Sequence, residues 1–214
     1  MKFEDYKEFK HVLAVILVLT IVISFSSILD NNWEFLAPAL LFSAIIIVVH
    51  VFSKKIGAHL LDADVEHEIW SFSEYGLMPH QHFKKSLPYG LIIPLFFAIF
   101  TLGKIKVMTF LTYETRALKV RAAKRFGYYS YAEMTDWHNG LIGTAGIISI
   151  LLLSAISYFS GFEFLARMSA FYAFFNMIPL GKIDGSQIFF GSKILWTTLA
   201  AVTLIFAAYA LLLV

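Results

Sequence analysis

The stretch Asn176-Met177-Ile178-Pro179-Leu180-Gly181-Lys182-Ile183-Asp184-Gly185 decides how this chain is read. It closes an apolar run with a turn interrupted by Pro and Gly, then places a carboxylate just beyond it. Pro179 has no N–H to offer a helix, so it frees a backbone carbonyl and ends the run. Gly181 and Gly185 allow the backbone to approach its neighbours closely. An ionisable group beside lipid is costly and usually functional. Two readings of Asp184 stand from this stretch alone: a fixed functional carboxylate, or a solvated residue that ends a helix.

Composition sets the surroundings of that carboxylate. Of 214 residues, 59% are hydrophobic and 15% charged, whereas a soluble domain carries about a quarter charged. Mean hydropathy of +0.74 agrees that lipid is the solvent. The expectation is an all-α polytopic membrane protein with a single membrane domain: residues 1–34 forming a first span and outer loop, 35–193 a core, and 194–214 a last span. A net charge of +2 is too small to imply a nucleic-acid partner. With no Cys, any metal must be held by His and carboxylates. Lys2, Lys7 and Lys10 precede Val12–Leu29, a run longer than the ~7–15 residues of a signal-peptide core, so it reads as a retained span.

Apolar segments recur at Val12–Leu29, Phe35–Phe52, Leu87–Gly103, Leu141–Phe159, Phe162–Leu180 and Ile194–Val214. Most approach the ~20 residues needed to cross a bilayer. Leu87–Gly103 is the exception, being short and holding Pro88, Gly90 and Pro94. Charge placement bears on it. Lys104, Lys106, Arg116, Lys119, Arg121, Lys124 and Arg125 form the most basic stretch, and the loop 53–86 carries Lys54, Lys55, Lys84 and Lys85. The short loops Asp30–Glu34 and Ser160–Gly161 carry no Lys or Arg. If Leu87–Gly103 dips in and returns, every basic loop lies in the cytoplasm, as the positive-inside rule requires. That gives five spans, out of five to six conceivable, in a multi-pass cell-membrane protein with its N-terminus inside. The alternation in Asp62–Trp70 suggests a short surface strand, with a surface helix as the other possibility. Tyr113, Phe126, Tyr128, Tyr129 and Tyr131 among basic residues suggest an interfacial anchor.

His50, near the inner end of an apolar segment, has the same depth as Asp184 in the five-span arrangement and the opposite one in a six-span arrangement. Here a resemblance becomes visible. Asn176–Gly185 is similar to the Asn-x-x-Pro-x-x-x-Leu-Asp-Gly motif of the site-2 zinc metalloproteases, with Ile183 in place of Leu. Ser186–Lys193 looks like the archaeal and bacterial branch of that family, and Gly140–Gly146 resembles the small-residue start of its middle core span, with Ile147 in place of a usual Pro. The resemblance covers about Ile45 to Lys193. It implies a membrane fold in which two His and an Asp hold zinc and a Glu activates water.

The chain departs from that pattern where the chemistry is strictest. His-Glu-x-x-His should begin at His50, yet the sequence reads His50-Val51-Phe52-Ser53-Lys54. Positions i and i+4 share a helical face, which is why the second ligand belongs at Lys54. Val51 cannot act as the base for zinc-bound water, and a protonated Lys54 cannot bind zinc. His50 and Asp184 are thus a vestigial or partial metal site, supported by Asn176, Pro179 and Gly185, with no catalytic residue assigned. Either Lys54 pairs with Asp184 in place of a metal, or it snorkels to the headgroups.

The other histidines are weaker candidates. His67-Glu68, in a region of acidic, strand-like alternation, begins like the protease motif but ends in Ser71. His59, His80 and His82 read as interfacial or solvated, although His80-Gln81-His82 could chelate a metal if strand-like, and His138 beside Trp137 reads as an interface residue. Ser26, Ser149, Ser154 and Ser157, like Gly143–Gly146, read as helix-packing positions. The expectation is a non-catalytic site-2-protease-like protein that binds transmembrane segments or serves as a subunit of a membrane complex, without cofactor. The alternatives are an active zinc enzyme with a rearranged site using a loop His, and a proton- or ion-translocating element.

Overall fold

The computed structural model describes residues 6–74, 82–108, 110–118 and 134–212. The expected interfacial residues Phe126, Tyr128, Tyr129 and Tyr131, with Lys119, Arg121, Lys124, Arg125 and His80, fall outside them. Helix α1 (Tyr6–Leu29) turns through Asp30–Phe35 into α2 (Leu36–Leu60). Strands β1 (Ala63–Ile69), β2 (Phe72–Glu74) and β3 (His82–Leu87) follow, then α3 (Tyr89–Phe100) and β4 (Leu111–Ala117). The rest is helical: α4 (Asp136–Phe159), α5 (Glu163–Met177), α6 (Asp184–Gly191) and α7 (Lys193–Leu212).

Among the described residues, four helical stretches are long and apolar enough to cross a membrane: Tyr6–Leu29, Trp33–Leu60, Asp136–Phe159 and Lys193–Leu212. The segment expected over Phe162–Leu180 forms a shorter helix. Ile178 leaves helical geometry with ψ 128°, because the residue before a proline is pushed to extended backbone. Conversely, α2 runs eight residues beyond the apolar segment Phe35–Phe52, so Lys54 and Lys55 lie inside a helix rather than in a loop.

The region 87–110 folds back on itself. The Trp70 N–H donates to the Phe110 carbonyl at 2.9 Å and the Gly90 N–H to the Trp70 carbonyl at 2.8 Å, so the start of α3 and the start of β4 meet at one point. Between them the chain climbs α3 and turns through Leu102 (φ 53°) and Gly103 (φ 77°). At that tip, Ser26 near the end of α1 donates to the Gly103 carbonyl at 3.0 Å. The excursion therefore reaches the end of the bundle opposite its own base. Lys104 and Lys106 travel with the tip, so they do not join the basic stretch that begins at Arg116, contrary to the charge-based expectation. The apolar run simply ends at the turn, and Lys104 and Lys106 follow it ahead of the returning strand.

Asp62–Trp70 does supply a strand. Antiparallel β1 and β4 pair in the register His67↔Tyr113, and β2 pairs with β3 as a second two-stranded sheet. Alternation along β1 buries Ala63, Val65 and His67 against α1 and α2. The main core joins Leu19 and Ile23 of α1, Ile46 and Ile47 of α2, Ile147 and Ile150 of α4, and Tyr172 of α5.

The base of the fold-back tests this packing. A Cβ on Gly90 would lie 2.3 Å from the Phe110 carbonyl oxygen and 3.1 Å from the Trp70 nitrogen, and backbone cannot yield as a flexible side chain does. Gly90→Ala is expected to cost about 1–3 kcal/mol of stability, measured as a lowered thermal unfolding midpoint in detergent; an unchanged midpoint would refute this closure.

Candidate functional site

The site forms where α2, α4, α5, α6 and the β1–β4 pair converge. Pro179 stops α5, the chain turns at Gly181 (φ 58°), and α6 opens with Asp184 as its first residue. Gly185 permits that turn: a Cβ there would stand 2.2 Å from the Met177 carbonyl oxygen. Asn176 braces the approach, its amide donating to the carbonyls of Met108 at 2.9 Å and Tyr172 at 2.8 Å. The motif-supporting residues therefore hold backbone, not ligand.

Asp184 has no exposed surface. Its Oδ1 accepts from the Lys54 ammonium at 2.6 Å, and its Oδ2 meets His50 Nε2 at 2.7 Å. His50 and Lys54, one helical turn apart on α2, are equally buried, so Lys54 does not snorkel. A carboxylate only accepts, which places a proton on His50 Nε2. His50 Nδ1 then accepts from the Tyr172 hydroxyl at 2.7 Å, and with a neutral imidazole the cluster's charges sum to zero. The Lys54 ammonium also lies 4.4 Å from the centre of the Tyr113 ring, a favourable placement over an aromatic face. Tyr113 is held in turn by its hydroxyl, which donates to the Asn139 carbonyl at 2.6 Å.

Burial alone would raise the Asp184 pKa. The Lys54 charge, then the His50 ring and the hydrogen bonds from both, outweigh it and hold the carboxyl at about 2. The run Gly143–Gly146 does more than pack helices. A Cβ on Gly146 would sit 2.8 Å from Lys54 Cε and 2.9 Å from His50 Nε2, so this glycine lets α4 close over the cluster. Val51 points elsewhere, into the apolar core.

A second buried cluster adjoins the first, and the sequence did not reveal it. Glu8 of α1 accepts from the Lys55 ammonium at 2.7 Å and from His67 Nδ1 at 2.9 Å. His67 is therefore buried, on the strand its alternation suggests. Lack of solvent, and the positive Lys54 nearby, lower its pKa to about 4 against the pull of Glu8. The sequence signal for this cluster was a carboxylate, Glu8, one turn before an apolar span.

The donor set does not suit zinc. His50 Nε2 and Asp184 Oδ2 are hydrogen-bonded to each other, Lys54 donates to the other carboxylate oxygen, and no group of three His, Cys, Asp or Glu is placed to hold a metal among the described residues. His67 comes near but is committed to Glu8 through Nδ1. Compared with known proteins, the chain matches no protein-family model, no curated protein sequence and no solved structure.

Two outcomes follow. Lys54→Met leaves a buried carboxylate without its cation and should cost about 3–5 kcal/mol, as should Asp184→Asn, while the double variant loses clearly less than the sum. Strict additivity in unfolding measurements would show that the two do not act as a pair. For His67, the folded pKa lies below the unfolded value of 6.5, so the unfolded chain binds the proton first. Its contribution is full above pH 6.5 and is lost as pH falls to about 4, by about 3 kcal/mol. The unfolding midpoint of His67→Gln should fall less than that of the native chain over this window; parallel curves would exclude the assignment.

Proposed function

We propose that this chain is a multi-pass membrane protein related to the site-2 metalloproteases, in which a Lys54–Asp184–His50 charge cluster stands in place of the proteolytic centre. It holds or binds membrane-spanning segments, alone or as a subunit of a larger membrane complex, and does not cut them. The observation that carries this reading is the 2.6 Å contact between the Lys54 ammonium and Asp184, both without exposed surface. Lys54 occupies the sequence position of a ligand, and its charge takes the role that a metal cation would have toward the carboxylate.

The chemistry agrees with the geometry. Cleaving an amide at a metal requires a Lewis acid and a base for its water. Val51 offers no base, and the His50 nitrogen facing Asp184 carries a proton. Membrane residence is supported by the four long apolar helices and by apolar side chains turned outward, among them Leu17, Leu152, Ile156 and Ile205. In water such a surface would drive aggregation; in lipid it is the expected exterior.

Metal analysis of the purified protein tests the reading. The native chain should carry no stoichiometric zinc and leave a helical membrane substrate intact, and Val51→Glu/Lys54→His should gain about one zinc per chain. Stoichiometric zinc in the native protein, lost in both His50→Ala and Asp184→Ala, would overturn the reading, as would cleavage of the substrate.

A further inference from the structure

At the end of the molecule opposite Asp184, basic side chains gather where apolar helices turn. Lys104 and Lys106 lie on the turn after α3 and the irregular segment that follows it, and Arg167 lies one turn into α5. All three line a groove of about 480 Å³ whose remaining walls are apolar, drawn from α5 through Phe171 and Phe174 and from α7 through Leu204. The Lys106 ammonium lies 5.6 Å from the Phe164 ring centre. Burial, and then the like charge of Arg167, make the Lys106 ammonium easier to deprotonate than a free lysine. The acidic residues of this end, Asp30, Glu34 and Glu163, are exposed in the turns or at the first position of α5.

A single lysine at a helix end snorkels and needs no further account. Three cations from two separate elements, converging on the head of one apolar groove, are a different arrangement. Their repulsion in a partly desolvated site favours a bound anion. Phosphate oxygens suit both the point charge of lysine and the fork of arginine. Below the cations the groove continues past Phe171 to Phe174, about 10 Å along the helix from Arg167, on an apolar floor that no free anion would use.

We propose that this groove is a binding site for an anionic phospholipid, its phosphodiester held by Lys104, Lys106 and Arg167 and one acyl chain lying along Phe171, Phe174 and Leu204. The site rests on the membrane residence proposed above and is independent of the state of Asp184. The sequence carries its trace: Arg167 interrupts an apolar segment, and Lys104 and Lys106 follow another without a matching carboxylate.

Native mass spectrometry of the delipidated protein in detergent, titrated with phosphatidylglycerol or phosphatidylethanolamine of equal chain length, tests it. Phosphatidylglycerol should bind more tightly. Each of Lys104→Gln and Lys106→Gln should weaken it about five-fold, and K104Q/K106Q/R167Q should abolish the preference. Lys193→Gln, at the other end of α7, should leave it unchanged. Equal binding of the two lipids, or a preference that survives in the single and triple variants, would overturn the proposal. So would inorganic phosphate that displaces the lipid at equal concentration, since the acyl groove would then contribute nothing. If the triple variant unfolds, the two single variants decide. Loss of the chain from carbonate-washed membranes would instead refute membrane residence, a result separable from every lipid outcome.

Discussion

A carboxylate with no access to solvent must have its charge met by protein, and that constraint on Asp184 organises the structure around it. Two groups on one face of α2 meet it, His50 and Lys54, one turn apart. Reaching them requires α4 to approach closely at Gly146, α5 to end at Pro179, and β4 to bring Tyr113 over the ammonium. Each element would be tolerable displaced by an ångström if the centre were apolar. With a charge there it is not, because an imperfectly paired ion in a low-dielectric interior costs several kcal/mol.

The neighbouring cluster fixes α2 from its other side. Successive residues on a helix project about 100° apart, so Lys54 and Lys55 cannot serve one partner. Lys54 goes to Asp184 and Lys55 to Glu8, which places α2 between two carboxylates on two different elements. His67 joins the second cluster and brings β1 with it, through Nδ1 and its backbone N–H, both directed at Glu8 Oε1. Rotation of α2 by one residue would turn one lysine toward the other's partner and leave one buried carboxylate without a cation. The two pairs thus set the register of the helix as well as its position.

Much of this frame was legible in the sequence because helices long enough to cross a membrane leave long apolar runs, and because Pro179 and Gly185 sit where a turn explains them. The strand at 63–69 showed in its alternation, and the fold-back at 87–110 in its short, proline-bearing run. What the sequence concealed has a common cause: burial of charge depends on partners far away in the chain. Lys54 and Lys55 look like loop lysines until Asp184, 130 residues on, and Glu8, 47 residues back, are found beside them. Lys104 and Lys106 look like cytoplasmic charges until the length of α3 carries them to the opposite end. Gly146 reads as a packing glycine because the ring and ammonium it admits belong to another helix.

A buried ion pair is seldom the most stable way to fill a core, since well-packed apolar residues of similar volume often do as well or better. Holding α2 against α6 would therefore not by itself require Lys54 and Asp184. What the pair adds is selectivity. Hydrophobic contacts tolerate sliding and rotation, whereas a 2.6 Å contact between buried charges is satisfied in one arrangement and penalised in its neighbours. The Asp184 carboxylate positions a lysine and a histidine at once, and the geometry around it admits little displacement. That exactness comes from the cost of leaving Asp184 unpaired.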